Sequence, residues 1–332
     1  MRPPWPKEHR LKIRRQRKRF VTVCVAALAV NGRTIICVAD KAISYGEQIQ
    51  WDSDSTKIVK LNPSGSLVMF SGDEQATQKV LANMLSVSDQ IKGKTKAELI
   101  KLCEEQFKDA VDDLIVGLFL KPRLLTKEDY INAITGTKIN DMMRSLADEI
   151  KKYEVDCGLL VCGFDVNHSP FILSVSSPGV VTDMTHTGFH AIGSGWDKAV
   201  SRLLFSEHKR DHALARVLYD AFDAKANAEM ESHVGYEWDA VVSLDGPVEY
   251  CDIGKEIKEL VERTWVQYNR SPFDKYNPKE DVEPPPKNWK KRLETLIDVE
   301  VLTRMREMSE EEIVNYRSSR QPLDSQTSGG PQ

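Results

Sequence analysis

The sequence has 332 residues and a hydrophobic content of 41%, which is enough to bury a large core. The formal net charge is −4, but residues 1–20 carry +8, which leaves −12 for the remainder. An acidic body is unsuited to general nucleic-acid binding, so only the basic arm is a candidate for that role. No apolar run reaches the ~18 residues of a membrane-spanning helix, and we expect no membrane association.

The six cysteines indicate an intracellular protein. They have neither the density of a secreted disulfide scaffold nor the CxxC spacing of a zinc site. We therefore interpret them as reduced thiols in a cytoplasmic protein.

The first apolar stretch, residues 21–41, directly follows the basic arm. A basic region followed by an apolar run is typical of an export signal. However, Asn31-Gly32 separates two apolar runs, the second run is rich in β-branched residues, and no small-residue cleavage site follows. The stretch is therefore predicted to be a buried β-hairpin.

A second strand pair and a helical layer follow the hairpin. Strands are predicted at 56–61 and 66–72, so that four strands precede the first helix. The pattern then predicts a helix at 74–88, a long helix that opens with a capping box of Thr95 and Glu98, an irregular segment at 120–137 and a helix within 138–153.

The second half repeats this order of strands, helices and strands. Turn residues bound strands at 157–165, 170–177, 179–184 and 189–195; helices follow at about 196–206 and 211–231, and strands at 239–244 and 248–253. This alternation predicts an α+β fold in which two packed sheets lie between helices, a four-layer αββα sandwich over residues 22–253.

The ends of the chain differ from this domain. Residues 1–21 are a basic N-terminal arm or propeptide, and residues 254–316 are predicted to be a helical extension with a Pro-rich linker at 277–288. Residues 317–332 have the composition of a disordered tail.

Two histidine pairs have a spacing that suits a metal on a helix. His208 and His212 are four residues apart, as are His186 and His190. No Glu or third ligand lies near either pair in the sequence, so we favour solvated helix-surface histidines and expect no metal.

Polar residues at the strand ends suggest a catalytic cluster. Thr22 and Cys24 share one face of the first strand, because side chains alternate along a strand. Asp40 ends the paired strand close to where the first begins, and Lys57 starts the third. For an Asp and a Lys taken alone, an ordinary ion pair at a strand end would be the better interpretation, and only their place among the ordered motifs described below reverses this preference. A Thr activated by its own freed amine, however, is an established catalyst of amide cleavage.

Several ordered motifs carry a family resemblance. They are TVCVAALAVNGRTIICVADKAIS, STKIVKL with Lys57, SGD, CGLLVCGFD and AIGSGWDKAV. Together they resemble the proteasome β-subunit family of N-terminal nucleophile (Ntn) hydrolases over residues 22–253. More narrowly, they resemble an uncharacterised bacterial and archaeal branch whose members begin close to TVCIAA.

This resemblance implies a role for each matching residue. Thr22 would be the nucleophile and its α-amine the general base, with Asp40 and Lys57 as a charge pair. The backbone N–H of Gly72 would bind the oxyanion. Ser194 and Gly195 match the GSG element, in which the hydroxyl helps to position the amine.

The sequence departs from the family pattern at three places. Val21 precedes Thr22 where the family usually has Gly, and 21 residues must be removed to free the amine. Cys24 is an alternative nucleophile of the Cys type. The late Asp and Ser of the family have no match in EMESHVG, where Glu231 and Ser232 are weak substitutes.

The resemblance implies a cytoplasmic threonine protease that processes itself and cleaves peptide or unfolded-protein substrates. Hydrolysis needs no cofactor, and the family forms homo-oligomeric rings; an ATPase partner is suggested by analogy alone. Two alternatives stay open. One is a catalytically inactive scaffold subunit that keeps its arm, and the other is a non-proteolytic Ntn amidase.

Overall fold

The computed structural model describes residues 22–45, 49–52, 56–61, 66–136, 140–229, 234–245, 250–268 and 291–298. Several sequence predictions lie outside the described residues. They are the arm at 1–21, Glu231, Ser232, the linker at 277–288 and the tail at 317–332.

The described residues form twelve strands. The strands are β1 (Val23–Ala29), β2 (Thr34–Asp40), β3 (Ala42–Tyr45), β4 (Ile49–Asp52), β5 (Ile58–Lys60), β6 (Leu67–Gly72), β7 (Cys157–Phe164), β8 (Pro170–Ser176), β9 (Val180–Asp183), β10 (Phe189–Gly193), β11 (Trp238–Leu244) and β12 (Tyr250–Asp252). Two antiparallel sheets contain ten of them, in the orders β10-β1-β2-β11-β12 and β5-β6-β7-β8-β9.

The helices lie mainly between β6 and β7, between β10 and β11, and after β12. They are α1 (Glu74–Ser86), α2 (Ser88–Ile91), α3 (Lys96–Ile115), α4 (Lys127–Thr135), α5 (Asp141–Lys151), α6 (Trp196–Phe205), α7 (Leu214–Ala228), α8 (Lys255–Tyr268) and α9 (291–298). The predicted capping box is present, because Thr95 and Glu98 exchange side-chain and backbone hydrogen bonds at the start of α3. No helix in the described part of the chain is both long and apolar enough to cross a membrane.

Alternation along the strands places three apolar layers between the four structural layers. One face of β1 and β2 meets the second sheet through Cys24, Leu28 and Cys37, which pack with Met69 and Leu160. The other face packs under α6, α7, α8 and α9, and the outer face of the second sheet packs under α1 and α3. The predicted four-layer αββα sandwich is therefore confirmed, and a strand buried on both faces explains the continuous apolar run of β1.

The hairpin at residues 21–41 is also confirmed. β1 and β2 pair along six residues, from Cys24–Ala39 to Ala29–Thr34. The turn needs left-handed backbone at Asn31 (φ 59°) and Gly32 (φ 79°), which these residue types tolerate.

One expectation about the strands was wrong. Six strands, not four, precede α1, because β3 and β4 form an extra two-stranded hairpin after β2. Each is only four residues long, and the pair joins neither large sheet. Short strands of mixed polarity give too weak a period-two pattern to be recognised.

Candidate active site

Three of the predicted side chains meet at the start of β1. The Lys57 ammonium donates to Thr22 Oγ1 at 2.8 Å, and to both Asp40 carboxylate oxygens at 3.0 Å. All three residues are buried, with 6%, 0% and 7% exposure for Thr22, Asp40 and Lys57. A buried cation between a hydroxyl and a carboxylate is a specific arrangement, unlike the loose ion pairs of protein surfaces.

Backbone groups hold the Asp40 carboxylate in place. The Val23 N–H donates to Oδ1 at 2.9 Å, and the Gly235 N–H donates to Oδ2 at 3.3 Å. The hairpin register causes the first contact, since pairing of Cys24 with Ala39 brings the end of β2 beside the start of β1. With Lys57 added, the buried carboxylate has at least three donors, as a desolvated charge requires.

The alternative nucleophile, Cys24, faces the interior between the two sheets. Its side chain is fully buried, and its thiol donates to the Phe70 carbonyl at 3.5 Å. Burial raises the pKa of Cys24 to about 12, although the nearby Lys57 ammonium acts in the opposite direction. At neutral pH the thiol is therefore protonated, and only a thiolate is an effective nucleophile.

Gly72, the predicted oxyanion donor, ends β6 two residues beyond Phe70. Its φ of +115° suits glycine, and a Cβ there would lie 2.1 Å from the Asp156 carbonyl oxygen. The close approach is set by the pairing of Gly72 with Cys157. The backbone conformation alone thus requires glycine at this position.

The GSG element lies beside Thr22. Gly193 pairs with Val23, and a Cβ on it would lie 1.9 Å from the Thr22 carbonyl oxygen. The next residue, Ser194, has a buried hydroxyl with no hydrogen-bond partner among the described residues. Gly195 packs against Ala228, which leaves no room for a side chain. Gly193 is the first residue of that motif but was not among the predicted site residues.

A second buried ion pair lies behind the cluster and was not foreseen. The Lys225 ammonium, with 0% side-chain exposure, donates to Glu229 Oε1 at 2.5 Å and to the Tyr236 carbonyl at 2.6 Å. Burial raises the pKa of Glu229, whereas the Lys225 ammonium acts to lower it and the Asp40 charge to raise it. Gly235 donates to Asp40, and the next residue, Tyr236, accepts from Lys225, so consecutive residues contact the two ion pairs.

The histidine expectation requires correction. His208 and His212 lie in the loop before α7, not on a helix surface, and the His208 ring nitrogens are buried. A third candidate ligand is also close. Asp220 of α7 joins the two histidines in a cluster whose ligand atoms all lie within 4.8 Å of one another. Burial lowers the pKa of His208 to about 4, so its ring is neutral at neutral pH.

All six cysteines are free thiols, as expected. Cys37 and Cys162 come closest, with their sulfur atoms 3.2 Å apart across the two sheets. Both side chains are fully buried in the layer between the sheets.

Comparison with known proteins shows similarity of structure without similarity of sequence. No model of a protein family matches the chain, and no curated protein does. Among solved structures, Anbu (ancestral β-subunit) from Yersinia bercovieri matches with a TM-score of 0.50 and 13% identity, over 74% of this chain and 93% of Anbu. Eukaryotic HslV from Trypanosoma brucei matches with a TM-score of 0.41 and 15% identity, over 66% of this chain and 98% of HslV. The match to Anbu, together with the sheet order described above, shows a proteasome-like sandwich fold.

Proposed function

We propose that this chain is a threonine-type Ntn hydrolase that cleaves the amide bonds of peptide or unfolded-protein substrates through an acyl-enzyme on Thr22. The observation that carries the proposal is the Lys57 ammonium, which bonds Thr22 Oγ1 and Asp40 simultaneously. Burying a lysine and an aspartate costs free energy that a purely structural strand end does not need to spend. A hydroxyl aimed at that lysine is the arrangement expected of an activated nucleophile.

The proposed reaction begins with cleavage of the Val21–Thr22 bond, which frees the α-amine of Thr22. That amine accepts the hydroxyl proton while Oγ1 attacks the carbonyl carbon of the substrate amide. The Lys57 ammonium already donates to Oγ1, so it stabilises the negative charge that develops there. Asp40 fixes the lysine in this position.

The tetrahedral intermediate then collapses to the acyl-enzyme. The Gly72 N–H would bind the oxyanion, an interaction that lowers such barriers by about 3 kcal/mol. The carbon–nitrogen bond breaks, the leaving amine takes the proton from the α-ammonium, and an ester remains on Thr22. Water attacks this ester with the α-amine again as base. The unpartnered hydroxyl of Ser194 is suited to position that amine.

Assembly and location form part of the same proposal. We expect a cytoplasmic homo-oligomer arranged as a closed ring, because proteasome-like hydrolases sequester their sites within such chambers. A closing ring requires the same pair of surfaces on each subunit.

The first test is the intact mass and N-terminal sequence of the purified protein, together with its turnover of fluorogenic peptides. We expect a mature chain that begins at Thr22. T22A should keep the 21 preceding residues and lose all turnover, because it has no hydroxyl for processing or attack. C24A should keep turnover, since its thiol is buried and protonated.

Three outcomes contradict the proposal. An assembled protein that retains Val21 has no free amine at Thr22, which supports the inactive scaffold. Turnover that survives in T22A but not in C24A moves the nucleophile to Cys24. If the mature enzyme reacts only with small amide or lactone probes, the substrate class is wrong and the Ntn amidase alternative replaces it.

A further inference from the structure

A polar cluster lies far from Thr22, where the loop between α6 and α7 contacts the β1–β2 turn. It consists of His208 and His212 in the loop and Asp220 on α7, whose candidate ligand atoms all lie within 4.8 Å of one another. The His212 carbonyl accepts a hydrogen bond from the Val30 N–H, directly after β1. β1 spans roughly 20 Å, so the cluster and Thr22 are at opposite ends of that strand.

The imidazole of His208 is the unusual member of this cluster. Both of its ring nitrogens are buried and make no well-aligned hydrogen bond with the described residues, although backbone groups of Leu28 and Gly188 lie close enough to favour the charged ring. Its ring packs edge-on against Phe189, with centroids 5.4 Å apart, which explains why an aromatic ring is there but not why it is a histidine. A buried polar atom without a well-aligned partner destabilises the folded state, so a phenylalanine would pack there more favourably.

The backbone around the cluster is already fixed. The His208 N–H donates to the Leu203 carbonyl, which ties the loop to the end of α6, and the His212 N–H donates to the Lys209 carbonyl. Asp220 is almost fully buried on the fifteen-residue helix α7. Three ligands on anchored backbone require little ordering when an ion binds.

We propose that His208, His212 and Asp220 bind a divalent transition-metal ion, with Zn²⁺ as the best match. Two imidazoles and one carboxylate form a ligand set typical of zinc, whereas Mg²⁺ and Ca²⁺ prefer oxygen ligands alone. Zinc holds its ligands about 3.4 Å apart, so small rotations of these side chains bring them into coordination. Three protein ligands leave the fourth position for water.

The Arg216 guanidinium competes with the ion for the Asp220 carboxylate, and this competition lowers the affinity of the site for zinc. Its Nε donates to both Asp220 oxygens, at 2.9 and 2.8 Å, and its side chain is 42% exposed. The ion must share the carboxylate with this guanidinium, which can move towards solvent. Removing the positive charge should therefore strengthen zinc binding. Asp223, which also lies on α7, pairs with Arg202 of α6.

The site would fasten the α6–α7 loop and α7 to the β1–β2 turn, and would take no part in amide cleavage. The inference therefore stands independently of the proposed hydrolase activity. Zinc should stabilise the folded chain by mass action, with a rise in Tm of roughly 5 °C or more at about 100 times Kd.

The test is a zinc titration of the full chain after a chelator has removed any bound metal. A competing chromophoric chelator reports how much zinc the protein binds, and Tm is measured in parallel. We expect one Zn²⁺ per chain and, with Co²⁺, the intense visible bands of tetrahedral coordination. H212A alters a half-buried side chain, and H208F keeps the ring packing against Phe189 while it removes the nitrogens. Both should weaken binding about 100-fold. R216Q should bind zinc several-fold more tightly than the original chain.

The matched control is H168A. His168 Nδ1 lies 2.7 Å from Asp245 Oδ1, so it is also a histidine beside an aspartate, but it is exposed and no third candidate ligand joins it among the described residues. Its loss should leave zinc affinity unchanged. The inference is overturned if the original chain binds no zinc, if H212A and H208F bind it as tightly as the original chain, or if H168A alone abolishes binding.

Discussion

At the scale of single residues, the Thr22 cluster depends on one buried cation with two partners. Lys57 is the only described side chain shown in contact with both the Thr22 hydroxyl and the Asp40 carboxylate. Asp40 has no exposed surface, so its charge relies on that ammonium and on backbone donors. Activity and stability are therefore coupled at this position.

The first prediction concerns this pair. K57M should lower turnover by about 10³-fold, because the Thr22 hydroxyl loses its activating charge. It should also lower the free energy of unfolding by about 3–5 kcal/mol, since it leaves Asp40 buried without its counter-ion. Chemical denaturation and peptide turnover measure the two effects.

The double variant K57M/D40N provides the control. Removing both charges should recover part of the lost stability, with a coupling of about 1–3 kcal/mol, but none of the activity. Strictly additive losses of stability would show that the two side chains do not interact in the folded protein.

At the scale of elements, Thr22 is positioned by a close approach between β1 and β10. Gly193 lies opposite Val23, and only hydrogen in place of a Cβ fits against the Thr22 carbonyl. The strand pairing, more than any side chain, thus determines the position of Thr22.

The second prediction tests that approach. G193A should lower the free energy of unfolding by about 3 kcal/mol or more and reduce turnover, because β10 must move away from Thr22. Gly93 is the matched control, as its φ of +81° is similar but nothing lies within 4 Å of an added Cβ. G93A should cost only about 1 kcal/mol of backbone strain. Equal losses in G193A and G93A would show that the contact with Thr22 is unimportant.

Sequence patterns predicted the elements far better than their contacts. The Asn-Gly turn and the apolar runs predicted β1 and β2, and that hairpin alone brought Asp40 to Thr22. Lys225 was missed because a lysine within an amphipathic helix resembles any solvated charge. The His208 cluster was dismissed because Asp220 joins it through folding of the loop onto α7, which no local spacing records.

At the scale of the whole molecule, the segments after β12 contribute to the core. α8 and α9 pack on the same apolar layer as α6 and α7, over the outer face of the first sheet. Leu293 and Ile297 in α9 are fully buried there. The helices of the predicted C-terminal extension thus cover the outer face of the first sheet.

The third prediction follows from this packing. L293A should lower the free energy of unfolding by about 2–5 kcal/mol, because it opens a cavity in a buried layer. L204A, at an exposed site on α6, should change it by less than about 0.5 kcal/mol. If L293A is as mild as L204A in thermal and chemical denaturation, α9 does not belong to the cooperative core.

The contacts at Thr22 have a consequence for how such an enzyme would be switched on. The described hydrogen bonds to Thr22 and Val23 come from Lys57 and Asp40, which all lie C-terminal to the Val21–Thr22 bond. Cutting that bond would create the amine without breaking any of them. For the proposed hydrolase, the uncut chain would thus be a zymogen whose charge network is assembled before activation, and its maturation would require one broken bond and no refolding.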